Sequence, residues 1–381
     1  MMTSMSLVLT EDQALLERTA RAFVAQHAPV SRLRRLRDRR DELGYSREVY
    51  CAMAELGWAA IPFKERDGGA GMGLAEAIIV TEAMGRALAP EPYLSSIMLA
   101  GQALARAGSD AQRAHWLAPA LEGKSVLALA HQERTSRYEV DRIATHAHRT
   151  TDGFRLHGQK THVLGGYAAD AYIVSASADD ACAGISLFLV PGDTPGLSVV
   201  RQRRLDSRNA AVVDLTQVEV PDSALIGELG AARTVLQDAI DIATIALCGE
   251  MLGGMSEAFE RTLGYLKQRR QFGVLIGTFQ ALRHRAARSF IEIELARAAT
   301  MLAARAWDRD DPEARSLLSI AKARCSDAYV LVTSEAVQMH GGIGMTDEHD
   351  IGLFLKHART CELTFGDAAF HRDRYARLHG Y

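Results

Sequence analysis

Three stretches of helical period, from about Leu236 to Gln268, Phe279 to Asp308 and Pro312 to Met339, dominate the C-terminal part of the chain and constrain its class. Each is far longer than the ~11 residues of a mean helix, and a helix of that length is stable only when a neighbour covers its apolar side. The first two are expected to pack antiparallel, as in a four-helix bundle, with Leu263, Leu266, Ile291, Leu295 and Leu302 as core. Gly341-Gly342 and Gly344 end the third.

Between about Lys124 and Gly227 the period changes to that of strands. Short runs rich in β-branched and aliphatic residues appear at Val126–Leu129, Phe154–Leu156, Thr161–Leu164, Ala171–Val174, Ser186–Val190 and Ala211–Leu215, with turn residues at Thr151-Asp152-Gly153 and Pro191-Gly192-Asp193. Upstream, Thr10 to Glu122 reads as helical. Thr10-Glu11-Asp12-Gln13 has the form of a helix cap, and a helix from Leu74 to Arg86 follows the glycine-rich Asp67–Gly73. The run Arg32–Glu42 interleaves bases with acids and lacks alternating aromatics, so it reads as a solvated helix or loop rather than a single-strand nucleic-acid site. At 381 residues the chain is too long for one core. The expected fold class is α+β: an N-terminal helical domain over 1–122, a small β domain over 123–228 and a helical bundle over 229–381.

Charge and cysteine usage exclude several classes. A net charge of -3 gives no general attraction to nucleic acid or anionic membranes. No apolar run approaches the ~20 residues of a membrane span. The opening Met1–Thr10 lacks the basic start and apolar middle of a signal peptide, which makes a cytoplasmic location the default expectation. Cys51, Cys182, Cys248, Cys325 and Cys361 are scattered without a C-x-x-C spacing, and the His146/His148 pair reads as strand residues, so no metal site is expected.

Two strings carry chemistry. Arg269-Arg270-Gln271-Phe272-Gly273 is followed by Gly277-Thr278-Phe279-Gln280 and His284, and is answered downstream by Gln338-Met339-His340-Gly341-Gly342-Ile343-Gly344. Arginine offers a planar fork of donors that suits phosphate, and glycine lets backbone N–H groups approach it. In this order the two strings resemble the R-x-Q-F-G…F-Q and Q-x-x-G-G-x-G signatures of the acyl-CoA dehydrogenase family. The resemblance covers nearly the whole chain, through Glu82-Ala83-Met84-Gly85-Arg86, Asp152–Lys160 and Val218-Glu219-Val220-Pro221. It implies FAD as cofactor, with Arg269, Gln271, Phe272 and Gln280 in one wall of the site and Gln338, Gly341 and Gly342 in another. It further implies an acyl-CoA substrate, an electron-transfer flavoprotein as acceptor, and a homo- or heterotetramer in lipid metabolism.

Departures from the family pattern concentrate where the chemistry would be. The family's T-E-P is matched by Gln132-Glu133-Arg134, where the Gln132 amide can still bond a flavin carbonyl. The Trp and Thr that edge the flavin are matched by His162 and Leu164. The usual base, a Glu in an aromatic-E-G-T string, is matched by Phe365 in Thr364-Phe365-Gly366-Asp367, and the alternative base position on the helix over Leu236–Gln268 holds Ala243. Asp367 is the nearest replacement. Its competing role is to cap the helix that begins at Ala368, and Glu362 and Asp241 are further candidates. Three functions remain open: α,β-desaturation of an acyl-CoA with Asp367 as base, a catalytically incomplete FAD-binding subunit of a mixed tetramer, or an oxidase or monooxygenase that needs no such base.

Overall fold

A computed structural model describes residues 8–178 and 184–381. Cys182 and the opening Met1–Leu7 lie outside them. Among the described residues the helices are α1 (Glu11–His27), α2 (Val30–Arg39), α3 (Arg47–Glu55), α4 (Leu74–Arg86), α5 (Gln102–Ala107), α6 (Asp110–Gln112), α7 (Ala118–Leu121), α8 (Arg233–Gln268), α9 (Gln280–Asp308), α10 (Ala314–His340), α11 (Ile351–Leu363) and α12 (Ala368–Leu378). The strands are β1 (Leu127–Ala130), β2 (His146–Arg149), β3 (Gly153–Leu164), β4 (Ala171–Ala178), β5 (Ile185–Pro191), β6 (Leu197–Arg201), β7 (Ala210–Pro221), β8 (Leu225–Ile226), β9 (Arg270–Gln271) and β10 (Val274–Leu275). The class is α+β: an N-terminal helical region, a central sheet and a C-terminal helical region. No described helix is long and apolar enough to cross a membrane.

The chain packs as two compact units. One comprises residues up to Arg35, Gly73–Ala89 and Thr244–Tyr381; the other comprises Leu36–Met72 and Pro90–Ala243.

In the first unit the helices begin and end where local chemistry says they should. Thr10 caps α1 through a reciprocal pair with Gln13, which satisfies donors the first turn leaves open. The start of α4 is capped from a distance: the Asp308 carboxylate accepts from the N–H groups of Leu74 (2.7 Å) and Ala75 (3.1 Å). The long helices α8 and α9 run antiparallel, with Phe259 against Phe290 and Arg297 donating to Ser256. Of the five apolar residues expected as core, Leu266 is buried and Leu263 and Leu302 are half-buried. Ile291 and Leu295 are exposed, at 56% and 45%, which corrects the expectation. Their side of α9 is not covered within a single chain.

The second unit is built on a sheet with order β6-β7-β3-β2-β4-β5-β8, with β1 added beside β4. Its core interleaves Phe154, Leu156, Tyr172, Val174, Phe188, Val213, Leu215 and Val218. The runs at Phe154–Leu156 and Thr161–Leu164 are one strand, β3, that keeps pairing with β7 through two register shifts. The second shift leaves His162 at φ 53 on an outward bulge.

Candidate functional site

The first signature folds as a hairpin. β9 pairs with β10, and Phe272 and Gly273 between them have φ of 51 and 80. Two successive positive φ values are the two-residue turn whose twist matches flanking strands, and Gly at the second place relieves half of its strain. This turn holds the Phe272 ring out, 91% exposed, with the Phe279 ring edge-on to it at 6.2 Å. Arg269, Gln271 and Gln280 are exposed around it.

The second signature ends α10. Gln338 is exposed, and Gly341 and Gly342 follow at the surface in a tight turn that closes on Met345. A Cβ added at either glycine would meet nothing within 4 Å, so the backbone there is open to a ligand. Although the strings are far apart in sequence, a small apolar cluster of Leu266, Ile276 and Met339, with Tyr265 and Leu282 against it, packs the two together. The Tyr265 ring stacks on His340 at 4.6 Å. Gly277 is required in this packing, because a Cβ there would lie 2.8 Å from the Leu266 carbonyl oxygen. An exposed arginine, amide side chains, an aromatic ring and bare glycine backbone are the donor set that a dinucleotide's pyrophosphate and adenosine need.

Gln132 lies in the second unit, just after β1. Its side-chain amide donates to the Arg137 carbonyl (3.0 Å), and its backbone carbonyl accepts from Thr161 N–H (2.8 Å), which ties the loop to β3. The adjoining Glu133 is buried. Its carboxylate accepts from Ala144 N–H, from the N–H and hydroxyl of Thr145, and from the Lys160 ammonium at 2.6 Å, and Lys160 also donates to Ser175. Burial alone would raise the Glu133 carboxyl, but Lys160 and the Thr145 and Ala144 donors hold it below the usual carboxylate range. Burial pulls Lys160 down to about 8 in spite of Glu133, so the pair is ionised at neutral pH.

The turn Thr364–Asp367 is held by several buried and half-buried contacts. Phe365 is half-buried at φ 58, and Gly366 at φ 113 admits no side chain, since a Cβ would lie 2.4 Å from Phe370 Cδ1. The Phe365 carbonyl accepts from His371 Nε2 (3.1 Å), and the Gly366 carbonyl accepts from Lys322 Nζ (2.7 Å). Lys322 is fully buried on α10, and also donates to Ser326 and to the Glu362 carbonyl. Burial lowers its pKa; burial, with the Lys322 charge adding to it, lowers His371 to about 3. Lys160 closes the string Asp152–Lys160 that resembles the family's, whereas no motif marks Lys322.

The candidate carboxylates are all engaged. Asp367 caps α12 by accepting from Phe370 N–H (2.9 Å), the competing role anticipated for it. Glu362 pairs with Arg359 (2.7 Å), and Asp241, fully buried on α8, accepts from Gln237 (2.9 Å). His146 and His148 lie side by side on β2, and the described residues contain no group of three or more ligand-type side chains placed to hold a metal.

Comparison with known proteins accounts for this arrangement along nearly the whole chain. Residues 10–124 match the acyl-CoA dehydrogenase N-terminal domain, 128–218 the middle domain and 232–378 the C-terminal domain. Acyl-CoA dehydrogenase FadE12 of Mycobacterium tuberculosis is 28% identical over 95% of this chain and 94% of its own length. Among solved structures, the ChsE4-ChsE5 complex from Mycobacterium tuberculosis superposes with a TM-score of 0.89 at 27% identity, covering 99% of this chain and 100% of that one. A variant of the Tcur3481-Tcur3483 steroid ACAD gives 0.85 at 30% identity, covering 97% and 98%.

Proposed function

Because the chain belongs to the acyl-CoA dehydrogenase family and is a FAD-dependent oxidoreductase on that fold, we propose that it takes part in α,β-desaturation of an acyl-CoA thioester as the base-lacking, FAD-binding subunit of a mixed tetramer. The observation that carries this reading is the pairing of Phe365 at the base position with an Asp367 carboxylate already committed to capping α12. A carboxylate that serves as a cap is favoured as an acceptor of backbone N–H, not as an acceptor of a carbon-bound proton. Support comes also from ChsE4-ChsE5 and Tcur3481-Tcur3483, two relatives that are themselves pairs of different chains.

In this reading Arg269 and the open backbone at Gly341 and Gly342 hold the pyrophosphate, Gln271, Gln280 and Gln338 bond the adenosine end, Phe272 packs on it, and Gln132 bonds the flavin ring. FAD supplies the acceptor for the hydride that leaves the β-carbon. The chain's own contribution at the reacting carbonyl is the Phe365 N–H, which donates to no backbone carbonyl among the described residues. Aimed at the thioester oxygen, it would stabilise the charge that develops when the α-proton departs. The partner chain supplies the carboxylate that takes that proton, and an electron-transfer flavoprotein takes the electrons onward.

The second reading keeps Asp367 as base in a self-sufficient enzyme, because it is the carboxylate nearest the usual position. Anaerobic mixing of the FAD-loaded protein with straight-chain, branched and steroid-like acyl-CoAs separates the two. No bleaching by this chain alone, with bleaching once a partner subunit is added, is the expected result. Bleaching by the chain alone that is lost in Asp367→Asn would replace it with the second reading.

A further inference from the structure

The second unit contains a cleft of about 310 Å³ lined by six arginines: Arg37, Arg40, Arg201, Arg203, Arg204 and Arg208. Only Leu36, Gln202 and Ser207 complete the lining. In a chain of net charge -3 this is a local concentration of one sign, and like charges crowded into a concavity repel unless something offsets them.

The internal partners offset part of it. Arg37 pairs with Asp38 (2.8 Å), Arg204 makes a two-pronged contact with Asp206 (3.0 Å each), and Arg201 donates to the backbone carbonyls of Asp41 and Glu42. The nearby Asp41 carboxylate is turned to the N–H groups of Leu43 and Gly44. The C-terminal end of α2 also attracts cations, which explains Arg37. None of this accounts for Arg40 and Arg203, both exposed.

Arg40 is the more telling of the two. α2 ends with Arg40 N–H on the Arg37 carbonyl and Asp41 N–H on the Leu36 carbonyl, while Arg40 itself sits at φ 51. That is the helix-ending turn in which glycine normally takes the left-handed residue at lower cost. Arginine stands there against backbone preference, on the wall of the cleft.

We propose that this cleft binds a pyrophosphoryl group, carried by inorganic pyrophosphate or by a nucleoside diphosphate. Planar guanidinium forks match tetrahedral phosphate oxygens two at a time, and an open concave cleft of this size suits a compact polyanion better than a flat protein face. The cleft also borders β3, since Gln202 accepts from His162 N–H (2.8 Å) and donates to Thr161. Gln202, on the cleft wall, thus also holds the bulge that carries His162. The proposal rests on the cleft alone and does not depend on the acyl-CoA reading.

The test is calorimetric titration of the FAD-loaded protein with inorganic pyrophosphate, ADP and AMP, repeated in an Arg40→Gly/Arg203→Ala double variant. Arg40→Gly relaxes the helix end, so the variant is expected to fold. Pyrophosphate and ADP are expected to bind more tightly than AMP, with affinity falling as salt rises, and the double variant is expected to lose tenfold or more while keeping its FAD. ADP tighter than pyrophosphate identifies a nucleotide as the source; the reverse order identifies the free anion. Absence of binding by both, or equal binding in wild type and variant, overturns the proposal. Loss of FAD from the variant overturns it as well, by assigning the cleft to the cofactor's own pyrophosphate.

Discussion

Two turns at positions the family uses for chemistry are each held by a fully buried lysine, and they are held differently. The loop carrying Gln132 is locked by Lys160 through the Glu133 carboxylate, an ion pair with side chains 0% and 4% exposed. The turn carrying Phe365 is locked by Lys322 through the carbonyls of Glu362 and Gly366 and the Ser326 hydroxyl, all neutral acceptors. Each lysine also bears on a histidine. Burial and Lys160 hold His131 at about 4, and burial and Lys322 hold His371 at about 3. The contrast shows two ways of fixing a turn whose forward residue, Gln132 or Phe365, departs from the family's pattern: one through a buried ion pair, the other through carbonyl dipoles. A frame built on a charge pair is brittle to loss of one partner; a frame built on carbonyl dipoles is softer.

The largest expected effect follows from that difference. Glu133→Gln strands a buried ammonium, and breaking a buried ion pair by removing one partner costs about 3–5 kcal/mol. Urea unfolding should show that loss, and the double variant Glu133→Leu/Lys160→Met should recover most of it. A double variant as unstable as the single one would show that the lock is made by the other contacts of the loop. Lys322→Met is expected to cost less, about 2–3 kcal/mol, because two carbonyls lose their donor while the desolvation of the lysine is relieved. Hydrogen exchange should speed up at the amides around Gly366, and a loss equal to that of Glu133→Gln would erase the distinction between the two frames.

Most of the fold was legible in the sequence because long helices and alternating strands write their period directly. The expected helix Leu74–Arg86 has those bounds, and the Thr10 cap is reciprocal as its sequence implies. The strand β6, over Leu197–Arg201, gave no such signal: it is an edge strand with partly exposed residues of both characters. Ile291 and Leu295 misled for a related reason, since apolar character says that a surface will be covered but not whether the same chain covers it. The two signature strings were legible as motifs because arginine, glutamine and glycine at those spacings suit phosphate and adenosine, and the structure packs the two strings together through Leu266, Ile276 and Met339. The two lysine frames were not. Lys160 and Lys322 find their partners only once Glu133 and Gly366 are brought over them, and no spacing in sequence encodes that approach.

The histidines give the comparison a pH axis. His371 is neutral when folded, and in the unfolded chain it titrates near its ordinary 6.5. Between 6.5 and about 3 the unfolded chain therefore binds the extra proton, and stability falls as pH falls through that window. By pH 5 the loss from His371 is about 2 kcal/mol. Denaturation at pH 7.5 and pH 5 should show it, and His371→Gln should flatten the dependence. His131 acts in the same direction, with its window ending near 4. A variant whose pH dependence matches the wild type would mean that the Phe365 turn opens to admit the proton without unfolding.

The smallest effect on stability is the one that decides most about chemistry. Asp367 accepts from Phe370 N–H, and asparagine accepts at a helix start about as well as aspartate, whereas alanine gives up about 1 kcal/mol there. Asp367→Asn is thus expected to leave stability unchanged, and Asp367→Ala to lower it by about that amount, in thermal denaturation. Since asparagine keeps the cap but cannot take a proton, the pair separates the two roles by sign. If the carboxylate is only a cap, flavin bleaching in the assembled complex follows stability, unchanged in Asp367→Asn and at most mildly reduced in Asp367→Ala. If it is the base, both variants lose bleaching together, whatever their melting points. The second pattern would move Asp367 out of the frame and into the chemistry, and would leave Lys322 and His371 holding a turn that still carries a working carboxylate.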